Sequence, residues 1–131
     1  PSRLSKTAGE IRRNTNAKII EVAGDVTTHD GQNALLTACP DPDILITNAG
    51  GPPFKDFREL ERDAMLTGVT WNMITPIELI QRCIDGMSQR GFGRILNITS
   101  LGNSYLHIRN NIISLINLML GSSMVPGMLY R

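Results

Sequence analysis

Three short apolar runs alternate with helix-like stretches along this chain, and this order constrains the fold more than any other feature. The runs lie at 17–26 (AKIIEVAGDV), 43–47 (DILIT) and 94–100 (RILNITS), and each has the pattern of a β-strand. Parallel strands need long crossover connections, which are usually helices. The sequence therefore predicts an α/β fold, a parallel sheet flanked by helices with right-handed crossovers.

The helical stretches are predicted at 4–14, 28–38 and 61–89. Thr28 or Asp30 is expected to cap the second helix. Pro76 is expected to bend the third helix, and the glycines in RGFG to end it. Apolar residues recur every three or four positions in this long helix and predict a stripe facing the core. They are Met65, Val69, Met73, Ile77, Ile80, Ile84 and Met87.

The strand at 43–47 ends in residues that do not suit a core. Its apolar run predicts a strand covered on both faces of the sheet. Asn48, Ala49, Gly50 and Gly51 nevertheless follow at once. One explanation is a plain turn, because Asn and Gly are common turn residues. The other is that a flat or phosphate-bearing molecule approaches this backbone, where glycine leaves room for it.

All three predicted strands become polar or glycine-rich where they end. Asp25, Asn48 and Ser100 mark these ends, and the carboxyl ends of parallel strands share one edge, at which ligands bind. We therefore expect these three residues to lie along a common rim. Asn72 lies on the apolar stripe of the long helix, and a buried amide needs hydrogen-bond partners. A ligand in a functional site, or a structural hydrogen bond to a strand, would supply these partners equally well.

Composition excludes some classes of function. The 131 residues suffice for one domain, and 41% hydrophobic with 19% charged residues and a net charge of +1 indicate a globular protein. This balance does not favour nucleic-acid binding, which needs a basic patch. His29 and His107 are far apart, and no metal-ligand spacing occurs, so no metal site is expected.

The cysteines and the N-terminus bear on compartment and processing. Cys39 and Cys83 lie outside any C-x-x-C pattern, which favours reduced thiols in a cytoplasmic protein over a disulfide. The first residues have no apolar signal-peptide core and no initiating Met. We therefore expect a cytoplasmic protein whose chain is a processed or truncated piece.

The strand ends and the helical Asn together resemble the short-chain dehydrogenases/reductases, in particular their 3-oxoacyl-[acyl-carrier-protein] reductase-like branch. The resemblance rests on DILITNAGG (43–51), on Asn72 with Thr75-Pro76, and on GRILNITS (93–100). It implies a single, incomplete Rossmann-like NAD(P)-binding domain over 1–131. It also implies an oxidoreductase that passes a hydride between a nicotinamide and a carbonyl or alcohol substrate.

The same resemblance implies two sets of site residues. The cofactor-binding set is Asp25, Val26, Asn48, Ala49 and Gly50. In this set, Asp25 contacts the adenine and the Asn-Ala-Gly element lines the nucleotide. In the catalytic set, Ser100 polarises the substrate carbonyl and Asn72 belongs to the proton relay. The cofactor is NAD or NADP, and the sequence does not choose between them.

Two elements of the family are missing from the sequence. Only Gly9 precedes the first predicted strand, so the sequence contains no counterpart of the family's glycine-rich phosphate loop. No lysine follows Ser100, so the family's Y-x-x-x-K is absent, and Arg109 after Tyr105 holds its proton too firmly to replace that lysine. We therefore predict little or no activity for this chain. The alternative function is a non-catalytic binding module that holds a partner through the nucleotide edge or the apolar tail.

The tail at 101–131 shows no family resemblance. Residues 110–130 carry no charge, and a helix there would be apolar over most of its circumference. Such a helix is buried in a core or a partner, which favours a homo-oligomer. A membrane span is the alternative, but Gly121, Pro126 and polar residues interrupt the run. The expected partners are thus a small-molecule substrate and further copies of the chain, and neither nucleic acid nor membrane.

Overall fold

Two parallel strands are joined by a long helical connection. The structure, a computed structural model, describes residues 2–49 and 57–98. The chain divides into two compact units, residues 1–42 and 43–131. The first contains α1 (Ser2–Asn14) and α2 (His29–Ala38). The second contains β1 (Ile44–Thr47), a 3-10 turn (Phe57–Glu59), α3 (Arg62–Val69), a π-helix (Thr70–Ile74), α4 (Thr75–Gln89) and β2 (Arg94–Asn97). The prediction of a single domain stays a prediction.

In the first unit, side-chain contacts fasten the segment after α1 to that helix. The Ser5 hydroxyl donates to Oε2 of Glu21 over 2.8 Å, and the Arg12 guanidinium donates to Oε1 of Glu21 over 2.7 Å. Arg12 also donates to the Ile19 carbonyl oxygen over 2.7 Å. The predicted strand at 17–26 is wrong, since residues 15–23 form neither helix nor strand. A strand needs a neighbouring strand for its backbone, and in this segment a side chain takes the Ile19 carbonyl instead.

The sheet has the predicted parallel direction. Ile44 pairs with Arg94 and Thr47 with Asn97, and backbone bonds of 2.9 Å from Arg94 to Asp43 and from Ile98 to Thr47 extend the ladder at both ends. Because α4 covers one face only, exposure alternates along β1. Leu45 and Thr47 are buried, whereas Ile44 and Ile46 are 59% and 57% exposed. The prediction that this strand is covered on both faces is therefore wrong within the part of the chain that the structure describes.

The helical connection runs from Arg62 to Gln89, close to the predicted 61–89, with a π-helix at its centre. The N–H of Thr75 donates to the carbonyl of Thr70, five residues earlier. Pro76 follows at once, has no N–H, and in a regular α-helix would clash with the carbonyl four residues before it. The wider π turn accommodates this proline. The predicted irregularity at Pro76 is thus a π-helix.

The buried face of α4 is narrower than the predicted stripe. Four side chains spaced by four residues are buried: Thr75, Leu79, Cys83 and Met87. Of the predicted stripe only Met87 belongs to this set, and Met73, Ile77 and Ile84 are 36–46% exposed. The buried face is thus less apolar than the predicted stripe, because it includes the hydroxyl of Thr75 and the thiol of Cys83.

α4 ends at a glycine of the RGFG segment, as the sequence predicts. Gly91 has φ 68°, a left-handed conformation that glycine adopts without strain. The N–H of Phe92 donates to the Met87 carbonyl (3.2 Å), and that of Gly91 to the Ser88 carbonyl (3.1 Å). This is the Schellman pattern, and it turns the chain directly into β2.

Candidate functional site

The carboxyl ends of the two strands form one edge, as the parallel sheet requires. Thr47 and Asn97 end β1 and β2 side by side, and the buried Thr47 hydroxyl donates to Oδ1 of Asn97 over 2.6 Å. This bond between neighbouring strand ends fixes the edge. Asn48 and Ala49 follow β1 directly, with Asn48 exposed and Ala49 half-buried. An amide group thus stands on the solvent side of the edge, where it can bind a ligand.

The start of α4 lies toward the same edge. Its other end turns at Gly91 into the beginning of β2, and a Cβ at Gly93 would meet the Met87 side chain. Because α4 leads the chain back to the start of the parallel strand β2, it runs opposite to the strands, with its first turn on the side of their carboxyl ends. The π-helix directly precedes α4 in the same helical connection.

Asn72 lies in this π-helix and is half-buried. Its side-chain amide Nδ2 donates to the carbonyl oxygen of Gly68, 2.9 Å away in the preceding turn. The amide therefore ties the helix to itself at the π turn and does not bond a strand. Because Pro76 has no N–H, the Asn72 carbonyl lacks its usual helical donor four residues later.

Thr75 is a polar residue of this region that the sequence analysis did not single out. It is 2% exposed, and its Oγ1 has no hydrogen-bond partner among the residues that the structure describes. Leaving a buried hydroxyl unpaired costs free energy, so such groups are uncommon and often mark a functional site. The available signal was a hydroxyl residue directly before a proline within the long helix.

The turn before α2 holds Asp25 in a defined conformation. Its carboxylate Oδ1 accepts from the backbone N–H of Thr27 (2.9 Å) and from the Thr27 hydroxyl (2.7 Å). These two bonds from Thr27 lower the pKa of the exposed Asp25 carboxyl below its ordinary value. Val26, between the two residues, is half-buried. Asp25 is therefore an ionised acceptor at neutral pH.

The backbone of this turn is fixed by the start of α2. The Asp25 carbonyl accepts hydrogen bonds from the N–H (3.1 Å) and the hydroxyl (2.8 Å) of Thr28. The Thr28 side-chain oxygen in turn accepts from the Gly31 N–H over 3.1 Å, which confirms the prediction that Thr28 is the N-cap of α2. A Cβ at Gly31 would overlap the Asp25 carbonyl. The sequence analysis missed Gly31, although glycine inside a helix is costly and marks a close approach.

The predicted site residues are divided between the two units, and some lie outside the described residues. Asn48, Ala49 and Asn72 belong to the second unit, the first two directly after β1 and Asn72 in the π-helix. Asp25 and Val26 belong to the first unit. Gly50 and Ser100 lie outside the described residues. The predicted common rim and the roles of these residues therefore stay predictions.

Neither a metal-binding cluster nor a membrane-spanning helix occurs within the described ranges, 2–49 and 57–98. These ranges contain no group of three His, Cys, Asp or Glu side chains that could hold a metal ion. Within the same ranges, no helix combines the length and the apolar character needed to cross a bilayer.

The fold and the edge together are those of a Rossmann-like α/β protein, and comparison with known proteins identifies the family. The profile of the family described as short chain dehydrogenase matches residues 1–110 of this chain. The chain belongs to the short-chain dehydrogenase family.

Individual relatives agree with this family. Acetoacetyl-CoA reductase of Cupriavidus necator is 37% identical over 59 residues, which cover 45% of this chain and 24% of that protein. The structure of a 3-oxoacyl-[acyl-carrier protein] reductase from Brucella melitensis with bound NAD is similar with a TM-score of 0.77 and 21% identity, over 91% of this chain. L-sorbose reductase of Gluconobacter frateurii, solved with NADPH and L-sorbose, gives a TM-score of 0.74 at 23% identity, over 91% of this chain.

The chain is shorter than these relatives. It spans 48% of each of the two solved reductases, and the segment matched to acetoacetyl-CoA reductase is about a quarter of that enzyme. The similarity to the two solved structures establishes the fold.

Proposed function

We propose that this chain forms part of the cofactor-binding domain of an NAD(P)-dependent oxidoreductase, which passes a hydride between a nicotinamide and a carbonyl or alcohol substrate. The observation that carries the proposal is the family match over residues 1–110, combined with Asn48 and Ala49 directly after a parallel strand. Ligands of open parallel sheets bind at this end of the strands.

The cofactor is proposed to be NAD or NADP. The Brucella and Gluconobacter reductases were solved with NAD and NADPH respectively. The residues of this chain suit such a ligand, because the ionised Asp25 carboxylate and the exposed Asn48 amide offer polar contacts to a nucleotide. When bound, the nicotinamide would supply or accept the hydride. The proposed binding residues are Asp25, Val26, Asn48, Ala49 and Gly50.

The substrate is proposed to be a 3-oxoacyl thioester or a related carbonyl compound. Acetoacetyl-CoA reductase and 3-oxoacyl-[acyl-carrier protein] reductase, both of which this chain resembles, are named for such substrates. Ser100 would donate a hydrogen bond to the substrate carbonyl, and the Asn72 carbonyl would accept one from a water of the proton relay. That role suits a carbonyl whose helical donor is replaced by Pro76.

Binding of the cofactor is the direct test. Titration of the chain with NADH and NADPH, followed by the fluorescence of the nicotinamide, should show saturable binding to at least one of them. Asn48→Ala should weaken that binding. Thr67→Val should not, because within the described residues the Thr67 hydroxyl donates to the Asp63 carbonyl of its own helix. Absence of binding at millimolar dinucleotide would overturn the proposal and favour the alternative, a non-catalytic binding module.

We expect little or no reductase activity for this chain. No lysine follows Ser100, and a tyrosine with an ordinary pKa near 10 transfers protons poorly at neutral pH. An assay with NADPH and acetoacetyl-CoA should therefore give a rate close to the uncatalysed background. A rate proportional to the concentration of the chain and well above that background would contradict this expectation.

A further inference from the structure

We propose that the C-terminal segment 110–120 of this chain packs as a helix against the face of the sheet opposite α4. This face, the open sheet face, consists of Ile44 and Ile46 of β1 together with Leu96 and Ile98 at the second strand. The segment itself lies outside the described residues.

The open sheet face presents a contiguous apolar patch. Ile44 and Ile46 are 59% and 57% exposed, and Leu96 and Ile98 are 52% and 51% exposed. Leu96 pairs with Ile46, and the N–H of Ile98 donates to the Thr47 carbonyl, so the ladder continues to the end of the patch. Side chains two residues apart on a strand share a face, which places all four side chains together.

The chemistry of this face calls for an apolar, uncharged occupant. Arg94 stands in the same row of β2, but its guanidinium lies over the Phe92 ring, 4.9 Å from the centroid, and donates to the Gly93 carbonyl over 2.7 Å. Its charge is thus held at the amino end of the strand. Parallel sheets are normally covered on both faces, because burying their apolar rows is favourable. We therefore expect an apolar element opposite α4.

The same chain contains a segment of this chemistry, because residues 110–130 carry no charge. A helix over 110–120 would place Ile112, Ile116 and Met119 on one side and its polar residues on the other. It would be about 16 Å long, which suits strands of four residues and roughly 13 Å. The match to the family profile ends at residue 110, so this segment takes no role from the family.

The connection to this segment is long enough to let it dock. Residues 99–109 follow Ile98 directly and would span about 35 Å when extended. Packed layers lie roughly 10 Å apart, so the connection can reach the open sheet face from the carboxyl end of β2. A flexible tether of this length gives its attached segment an effective concentration of about a millimolar.

Two other arrangements are less favourable. A second copy of the chain would have to reach that effective concentration in solution to displace the tethered segment. On the face that α4 covers, the exposed apolar surface of the strands is smaller, because Ile95 is 38% exposed and its partner Leu45 is buried. The open sheet face is therefore the better site for the segment.

Disulfide trapping in the full chain tests this contact. Leu96→Cys is combined in turn with three substitutions in the segment: Ile112→Cys, Ile116→Cys and Met119→Cys. All variants carry Cys39→Ser, because Cys39 is an exposed native thiol. The matched control replaces Leu96→Cys by Ile95→Cys, the neighbouring position on the opposite face of β2. Mild oxidation and a non-reducing gel measure the rate at which each pair closes.

At least one pair that includes Leu96→Cys should close within the molecule at least about tenfold faster than its counterpart with Ile95→Cys, because a disulfide needs closely apposed Cβ atoms. Equal rates, faster closure with Ile95→Cys, or no intramolecular disulfide would overturn the proposal. Disulfides between two molecules in place of those within one would assign the open sheet face to a second copy and overturn it as well.

Hydrogen exchange of the unaltered chain makes the test independent of whether the cysteine variants fold. The backbone amides of residues 112–120 should exchange at least about tenfold more slowly than those of a free peptide of the same sequence. This protection should persist when the protein is diluted about tenfold, because the contact lies within one molecule. Exchange at the rate of the free peptide, or protection that is lost on dilution, would contradict the proposal.

Discussion

Single atoms decide how the turn at Asp25 is built. Position 31 accepts only glycine, because a Cβ there would overlap the carbonyl of Asp25. The same close approach lets Thr28 cap α2 while bonding the Asp25 backbone. Glycine within a helix lowers the stability of the helix, because it loses more conformational entropy on folding, but here it permits this close packing.

Gly31→Ala should therefore lower the free energy of unfolding by about 1–3 kcal/mol, as overpacking against a backbone atom does. The control is Gly9→Ala in α1, where a Cβ would meet nothing within 4 Å. That change should stabilise the protein by roughly 0.5–1 kcal/mol through helix propensity. Denaturant unfolding of both variants measures the difference, and equal effects would contradict the close approach.

Thr75 shows the cost of a buried hydroxyl without a partner. Thr75→Val removes the hydroxyl at almost unchanged volume and should raise the free energy of unfolding by about 1 kcal/mol. Thr75→Ser keeps the hydroxyl and should give no such gain. Thermal and denaturant unfolding of the unliganded protein compare the two variants. If Thr75→Val is instead clearly destabilised, the hydroxyl has a partner in solution.

At the scale of elements, an ion pair holds residues 15–23 against α1. Glu21 receives hydrogen bonds from Ser5 and Arg12, which lower the pKa of its carboxyl below the ordinary value of 4.5. A carboxyl whose pKa is lower in the folded state stabilises the fold above the unfolded pKa. This contribution is lost as the pH falls through the folded pKa.

Glu21→Gln should therefore destabilise the protein at about pH 7, and this destabilisation should shrink as the pH is lowered and the wild-type carboxylate becomes protonated. The measurement is the difference in Tm between the two proteins from neutral to acid pH, and Glu10→Gln on the exposed surface of α1 is the control. A difference that does not change with pH would show that the contact between Glu21 and Arg12 contributes no electrostatic stability.

On the scale of the whole molecule, two apolar surfaces are uncovered within the described part of the chain. One is the face of β1 opposite α4, with Ile44 and Ile46. The other is the outer side of the helical connection, with Met73, Ile77 and Ile84. Contiguous exposed apolar surface of this kind marks interaction sites in folded proteins. We therefore propose that copies of the chain associate.

Ile84→Glu places a charge on this outer surface and should shift the protein toward the monomer in light scattering at micromolar concentrations. The matched control is Arg82→Glu, which changes the charge of the same helix at a polar position. Because Ile84 is 46% exposed, its replacement should not abolish folding. A monomeric wild type, or the same oligomer in both variants, would contradict the proposal.

Local rules in the sequence determined much of this protein. The order of helices and strands after residue 28, the Thr28 cap, the glycine end of α4 and the position of Asn48 after a strand all follow from neighbours within a few residues. Only the tertiary structure decided that residues 15–23 form no strand, which face of α4 is buried and where the Asn72 amide bonds. The segment 15–23 is held by side chains of α1, as in the hydrogen bond from Arg12 to the Ile19 carbonyl. The Asn72 amide bonds within its own helix, at the π turn before Pro76. The hydropathy pattern of the sequence does not contain these contacts.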